Sequence, residues 1–149
     1  GGIWGLAPGE LGLLSGRLGN KSRILAFRLG GDAELPPAAA PAPLKFNPPE
    51  ATAGEETVLR GKALYHRHCV QCHGDAAVSA GMLPDLRASP MINTRESWQA
   101  IVLNGELTDR GMVSFSAELD GADAEAVRAY LVARAHESIA LATVKPTTD

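Results

Sequence analysis

The chain has 149 residues, a formal net charge of −3 and two cysteines. Lysine and arginine do not cluster into the basic face that a nucleic acid would need, so we expect no nucleic-acid partner. No apolar run reaches the ~18 residues that a bilayer crossing requires, so we expect no transmembrane segment either.

The first 34 residues predict β structure. Residues Ile24–Leu29 form a nearly continuous apolar run before Gly30, which is typical of a strand covered on both faces. Ile3–Leu6 is a candidate partner strand. Because two strands alone are marginal in water, we expect residues 1–34 to be the terminal strands of a truncated β domain.

A proline-rich stretch follows. Six of the ten prolines lie between Pro36 and Pro49. Each proline fixes its own backbone and lacks an N–H donor, so we expect residues 35–52 to form an extended linker. The sequence then predicts a globular domain over residues 53–140 and a flexible tail over residues 141–149.

Helical periodicity dominates after the linker. Residues Glu55–His66 carry an apolar stripe on one side. Asn93 and Glu96 have the spacing of a capping box, which predicts a second helix that Gly105 ends. A last helix is expected to start near Asp120 and run past residue 139. These patterns predict an all-α domain.

The central motif is Cys69-Val70-Gln71-Cys72-His73, which has the C-x-x-C-H spacing of covalent c-type haem attachment. Two thiols on one short helical turn can form thioether bonds to the haem, and the next imidazole can bind the iron. The motif therefore predicts Cys69 and Cys72 as tethers and His73 as the proximal iron ligand.

Two other uses of a C-x-x-C pair stay open at this point. One is a redox dithiol, and the other is a zinc site in which His66 and His68 would help, although zinc needs about four ligands. Because His66 and His68 lie before the motif, neither can easily act as the distal haem ligand. Solvated or capping side chains are therefore favoured for both. His136 lies near the end of the last helix, where a cation is favourable.

The sixth iron ligand should be a methionine or a histidine. Met112 follows His73 by 39 residues, which gives the chain enough length to reach the opposite haem face, and Gly111 before it suits a loop. Met112 is therefore the predicted distal ligand. Met82, Met91, a histidine or an absent ligand are the alternatives, and any methionine can simply fill core space.

Three further residues are candidates for haem contacts. The Pro84 carbonyl is suitably placed after the motif to accept the second imidazole N–H of His73. The guanidinium of Arg87 could bind a propionate, since its shape matches a carboxylate. Trp98 could donate its indole N–H to a propionate or belong to the core.

A haem would also complete the core. Three main helices over about ninety residues bury a modest apolar surface, and a large planar apolar group would give their stripes a common partner. This arrangement predicts the class I cytochrome c fold around one covalent haem. Its first helix would contact its last through Gly61 and Tyr65 on one side, and Val127, Tyr130 and Leu131 on the other.

Several longer motifs together carry a family resemblance. The segments 69–74, 76–87, 98–105, 110–115 and 123–131 resemble the C-terminal cytochrome c domain of quinohemoprotein alcohol dehydrogenases. The segment 23–31 and the linker are similar to the exit from the β-propeller of the same family. The resemblance covers nearly the whole chain and is far more specific than the C-x-x-C-H motif alone.

The resemblance implies a function. In that family pyrroloquinoline quinone (PQQ) and Ca²⁺ sit in the propeller, which oxidises an alcohol and passes electrons one at a time to the haem domain. An external acceptor such as a blue-copper protein or another cytochrome then receives them. Residues for the quinone and Ca²⁺ are missing here, so we expect the chain alone to be non-catalytic.

The resemblance and the motif also imply a location. Bacteria attach haem covalently after export, so we expect a periplasmic piece of a longer protein. Two rival functions remain open. A free-standing monohaem cytochrome c would share every haem residue, and a haem sensor would have an open sixth position.

Overall fold

Helices form the core of the molecule. A computed structural model describes residues 26–34, 43–79 and 83–143. Short 3₁₀ turns connect its helices, which are α1 (Glu55–His68), α2 (Val70–His73), α3 (Arg95–Val102) and α4 (Gly121–Thr143). The described residues contain no strand, which confirms the all-α prediction. Within this part of the chain, no helix is both long enough and apolar enough for a bilayer crossing.

Charge distribution favours α1 at both ends. Glu55 and Glu56 occupy its first turn, and basic side chains occupy its last turn. This matches the partial positive charge at a helix N-terminus and the partial negative charge at its C-terminus. The helix reaches His68, two residues beyond the predicted segment, and so runs directly up to Cys69.

The start of α3 differs from the prediction. Thr94, and not Asn93, is the N-cap residue, and its hydroxyl oxygen accepts a hydrogen bond from the Ser97 backbone N–H at 3.1 Å. Asn93 instead ends the 3₁₀ turn Pro90–Asn93. The predicted capping box of Asn93 and Glu96 is therefore wrong, because the preceding turn moves the cap forward by one residue.

The long helix α4 begins as predicted. The Asp120 carboxylate accepts hydrogen bonds from the backbone N–H groups of Ala122 and Asp123, both at 2.8 Å. Hydrogen bonding from Asp123 is the main cause that lowers the pKa of Asp120. The helix continues to Thr143, so it includes the first residues of the predicted tail.

Close contact between α1 and α4 builds the core. A Cβ atom at Gly61 would lie 1.8 Å from the backbone oxygen of Ala126, so only glycine allows this approach. Tyr65 is fully buried nearby, with its ring centroid 5.4 Å from that of Tyr130. The predicted contact of the first helix with the last is thus present, and Val127 and Leu131 are buried in the same core.

The end of the linker lies on the domain. The ring of Phe46 lies under the Arg87 guanidinium at 5.2 Å, and the Pro49 carbonyl is 2.8 Å from His136 Nε2. Phe46 and Pro49 are partly buried. Residues 43–52 have no helix or strand, and the last part of this segment is docked on the domain. The linker over residues 35–52 stays a prediction.

The amino-terminal segment shows no strand over its described residues. Residues 26–34 are exposed, with Phe27 90% and Leu29 101% accessible. Residues 26–29 of the predicted strand Ile24–Leu29 do not form a strand, and no strand pairs with them among the described residues. The remainder of the predicted β segment, including Ile3–Leu6, lies outside the described residues.

Replacing Gly61 with alanine tests the helix contact. Alanine favours an isolated helix by about 1 kcal/mol over glycine, but its Cβ would clash with the Ala126 carbonyl. We expect a net loss of about 1–3 kcal/mol in the free energy of unfolding, the usual cost of overpacking. Chemical denaturation followed by circular dichroism measures it.

Gly54→Ala is the matched control for this substitution, because nothing lies within 4 Å of a Cβ atom at Gly54. Gly54 is the N-cap residue of α1, so we expect a loss of no more than about 1 kcal/mol. Equal stabilities for the two variants would show that the close approach at Gly61 is unimportant.

Candidate functional site

The C-x-x-C-H motif forms one tight turn at the end of α1. Cys69 closes α1 through a hydrogen bond from its backbone N–H to the Tyr65 carbonyl at 2.8 Å. Its own carbonyl then accepts hydrogen bonds from Cys72 at 3.2 Å and His73 at 3.0 Å. These backbone hydrogen bonds thus hold Cys69, Cys72 and His73 together on one short helical turn.

The two cysteines have different surroundings. Cys69 is buried against the core, and burial, with a smaller contribution from Cys72, raises the pKa of its thiol to about 12. Cys72 is exposed, and neither cysteine forms a disulfide. One thiol therefore faces the interior while the other faces solvent.

His73 is a buried residue at the end of the motif. It is 9% exposed, and its Nδ1 atom has no hydrogen-bond partner in the described part of the chain. Burial lowers the pKa of His73, although the Pro84 carbonyl and the charge of Asp85 oppose that shift. A neutral imidazole is the form that binds a metal ion.

Pro84 lies near His73, as the sequence predicts. Its carbonyl is close enough to act on the pKa of His73, yet no bond of normal hydrogen-bond geometry joins it to Nδ1. The Pro84 carbonyl is therefore a candidate acceptor for an Nδ1–H group of His73. The suggested hydrogen bond between Pro84 and His73 therefore stays a prediction.

The loop after His73 is held from two sides. The Tyr65 hydroxyl donates a hydrogen bond to the Gly74 carbonyl at 2.7 Å, and Arg134 Nε donates one to the Ala76 carbonyl at 3.1 Å. Gly74 has a φ of +84°, and a Cβ there would lie 2.1 Å from the Val78 carbonyl. These contacts from α1 and α4 fix where the chain leaves His73.

The two histidines before the motif have local roles. His66 lies 2.8 Å from the Lys62 carbonyl through Nδ1 and 3.1 Å from the Asp75 carboxylate through Nε2. His68 makes an edge contact with Phe115 at 6.0 Å. Within the described residues, His, Cys, Asp and Glu side chains form no group of three that could hold a metal ion.

Arg87 binds two side chains of the protein itself. It is buried, and its guanidinium donates hydrogen bonds to the Asp85 carboxylate and to the Ser138 hydroxyl. The guanidinium therefore forms an internal ion pair, and its contact with a haem propionate stays a prediction. Sequence analysis missed Asp85. The pattern of an acidic residue after a proline and two positions before an arginine would have allowed this ion pair to be predicted.

Trp98 is a core residue. Its exposed fraction is 3%, and its indole N–H donates a hydrogen bond to the Ala124 carbonyl at 2.7 Å. Indole has a single N–H donor. That donor joins α3 to α4, which agrees with the core alternative, and a propionate contact of Trp98 stays untested.

Met112 lies in a loop beside the core. It is partly buried, packs against the core cluster, and follows Gly111, which has a φ of +89°. Its backbone N–H donates a hydrogen bond to the Leu107 carbonyl at 3.1 Å. Met91 is 36% exposed in a 3₁₀ turn, and Met82 lies outside the described residues. Met112 as distal ligand stays a prediction.

The residues at the motif fit a covalently bound haem. Two thiols lie on one helical turn, and the following imidazole is buried and neutral, with no hydrogen-bond partner at Nδ1 among the residues that the structure describes. An iron ligand of this kind binds through one ring nitrogen and donates through the other. The orphaned Nδ1 atom, with the Pro84 carbonyl nearby, matches that requirement.

Comparisons with known proteins agree with this geometry. The family described as cytochrome c oxidase, cbb3-type, subunit III matches residues 56–131. The chain is 44% identical over 92% of its length to the quinohemoprotein alcohol dehydrogenase ADH IIB of Pseudomonas putida. It is 38% identical over 93% of its length to the dehydrogenase subunit of an alcohol dehydrogenase (quinone) of Acetobacter aceti.

A solved structure is similar as well. It is that of the quinohemoprotein alcohol dehydrogenase ADHIIG from Pseudomonas putida HK5, with a TM-score of 0.62 and 33% identity. The similarity covers 76% of this chain and 16% of the larger protein. The chain spans 20% and 18% of the lengths of the two curated relatives.

The unequal burial of the two cysteines generates a prediction for the chain before haem is attached. We expect iodoacetamide at neutral pH to alkylate Cys72 much faster than Cys69, because Cys72 is exposed and the pKa of Cys69 is raised. Peptide mass spectrometry at timed intervals measures both rates. In denaturant the two rates should converge, and a Cys69 that reacts first in the folded chain would contradict the structure.

Proposed function

The chain belongs to the cytochrome c family of the cbb3-type subunit III domain, in the group found in quinohemoprotein alcohol dehydrogenases, and from that premise we propose its electron donor and acceptor. The domain is a haem electron-transfer module. Its donor is the reduced PQQ of a propeller domain in the same parent protein. Its acceptor is an external periplasmic blue-copper protein or cytochrome.

The geometry of the motif carries this proposal. Cys69 and Cys72 would hold the haem through thioether bonds, and the buried neutral His73 would bind its iron. When bound, haem c supplies a one-electron couple between two iron oxidation states. The chain's own contribution is to bury the iron ligand, restrict its orientation and exclude water from it.

Two observations support a propeller as the donor. Named relatives along nine-tenths of the chain are quinohemoprotein alcohol dehydrogenases. The apolar side chains of Phe27 and Leu29 are also almost fully exposed, and a larger adjoining domain would cover them. PQQ and Ca²⁺ would then bind in that larger part, and the chain alone would not oxidise alcohols.

Covalent haem attachment is the first test of the proposal. We expect the chain, expressed with a c-type haem maturation system, to keep its pigment with the polypeptide after acid-acetone extraction. A pyridine haemochrome spectrum with the bands of two thioether-linked vinyl groups would confirm attachment through Cys69 and Cys72. A Cys69→Ala, Cys72→Ala double variant is the control and should lose the pigment. Pigment lost from the wild-type chain would refute the proposal.

Replacing Met112 with alanine tests the distal ligand. We expect the sulfur-to-iron charge-transfer band of the oxidised protein to disappear and the reduced protein to bind carbon monoxide, since the sixth position opens. Met91→Ala is the matched control, because Met91 is in a turn and 36% exposed, and it should keep the band. Carbon monoxide binding to the unmodified reduced protein would instead favour a haem sensor.

A further inference from the structure

A buried ion pair lies in the loop that follows the haem motif. Asp85 and Arg87 are 8% and 9% exposed, respectively. Asp85 Oδ2 accepts hydrogen bonds from Arg87 Nη2 at 2.7 Å and the Ser79 backbone N–H at 3.1 Å. Oδ1 accepts from Arg87 Nε at 3.0 Å and the Arg87 backbone N–H at 3.1 Å. Each of the two oxygens of this buried carboxylate therefore accepts two hydrogen bonds.

Stability alone does not account for such a pair. Removing two charges from water costs several kcal/mol, and well-packed apolar side chains of similar volume are often as stabilising. A buried pair with complete hydrogen bonding does, however, fix the geometry of the backbone around it. The place of this ion pair in the chain therefore indicates its role better than its contribution to the free energy of unfolding does.

The pair ties together three parts of the molecule. Arg87 Nη1 donates a hydrogen bond to Ser138 of α4 at 2.9 Å, and the guanidinium lies over the ring of Phe46 at 5.2 Å. Asp85 also caps the 3₁₀ turn Leu86–Ala88. We call the set of Asp85, Arg87, Ser138 and Phe46 the clasp. It joins the haem-motif loop, the last helix and the end of the linker.

The clasp begins at Asp85, whose backbone nitrogen is bonded to the carbonyl carbon of Pro84. Because Asp85 directly follows Pro84, the anchoring of Asp85 limits the direction of that carbonyl. Asp85 is also close enough to His73 for its charge to act on the imidazole, and His73 Nδ1 lacks another partner in the described residues. The clasp thus anchors the chain directly after the Pro84 carbonyl, which is the candidate acceptor for His73 Nδ1.

We propose that Asp85 and Arg87 are positioning residues, which hold the Pro84 carbonyl to accept a hydrogen bond from His73 Nδ1, with Phe46 of the linker sealing them from solvent. This inference rests on the proposed haem function. It gives the end of the linker a second role, since Phe46 then belongs to the support of the iron ligand as well as to the domain connection.

Charge and geometry predict different effects of the substitutions. In Arg87→Ala the buried Asp85 anion loses its partner, so it should stabilise the oxidised iron and lower the midpoint potential. In Asp85→Asn the unpaired guanidinium should raise that potential. Both substitutions loosen the Pro84 carbonyl, so the solvent exchange of the His73 Nδ1 proton should become about tenfold faster, as for the loss of one ordinary hydrogen bond.

The experiment uses the full chain carrying covalent haem. Redox titration measures the midpoint potential, and ¹⁵N-histidine NMR of the reduced, diamagnetic protein measures Nδ1 proton exchange. Arg128→Ala is the matched control, since Arg128 also binds a carboxylate through two nitrogens and donates to the Ile92 carbonyl at 2.8 Å. Arg128→Ala should change the stability of the protein but leave the midpoint potential and the exchange rate of the His73 Nδ1 proton unchanged.

Milder variants keep the test valid if Arg87→Ala does not fold. Arg87→Lys keeps the charge but cannot bind Asp85 with the same paired hydrogen bonds, so it should speed exchange with a smaller change of potential. Phe46→Ala should speed exchange while leaving the ion pair present. Unchanged exchange and potential in these variants would overturn the inference. A wild-type chain without covalent haem would overturn the proposed function itself, and the inference with it.

Discussion

The close approach of α1 and α4 is the constraint on which the rest of the structure depends. At Gly61 the backbone of one helix meets the Ala126 carbonyl of the other without a side chain between them. This contact fixes α1 against the longest helix, and α1 runs without interruption into the Cys69 turn. The position of the candidate haem ligand is therefore set by a contact two turns before the motif.

Polar contacts then extend this framework to the loop that leaves the motif. Tyr65 is on the buried face of α1 and binds the Gly74 carbonyl, while Arg134 and Ser138 of α4 bind Ala76 and Arg87. The two packed helices thus hold the loop from opposite sides. The backbone on both sides of His73 is therefore anchored, which limits where its imidazole can lie when it binds iron.

Local patterns predicted most of the fold, whereas tertiary contacts decided the details of the site. The C-x-x-C-H turn and the stripes of α1 and α4 depend on neighbours in sequence, so they could be predicted. The cap at Thr94 depends on the turn before it. Arg87 also binds Ser138, 51 residues away, and Trp98 binds the Ala124 carbonyl, 26 residues away. Sequence neighbours do not indicate such distant partners, so these two contacts could not be predicted.

Side-chain size in the core gives a physical reason for a large cofactor. The buried face of α4 is rich in alanine, and the largest fully buried side chains among the described residues are Tyr65, Ile92, Leu131 and Val127. Leu83 and Val113 adjoin Pro84 and Met112 in the chain but are 38% and 54% exposed. A planar apolar group between these two segments would cover such side chains and add contact area that the small residues lack. Haem binding should therefore stabilise the fold as well as supply the redox couple, since a group that binds only the folded chain shifts the folding equilibrium toward it.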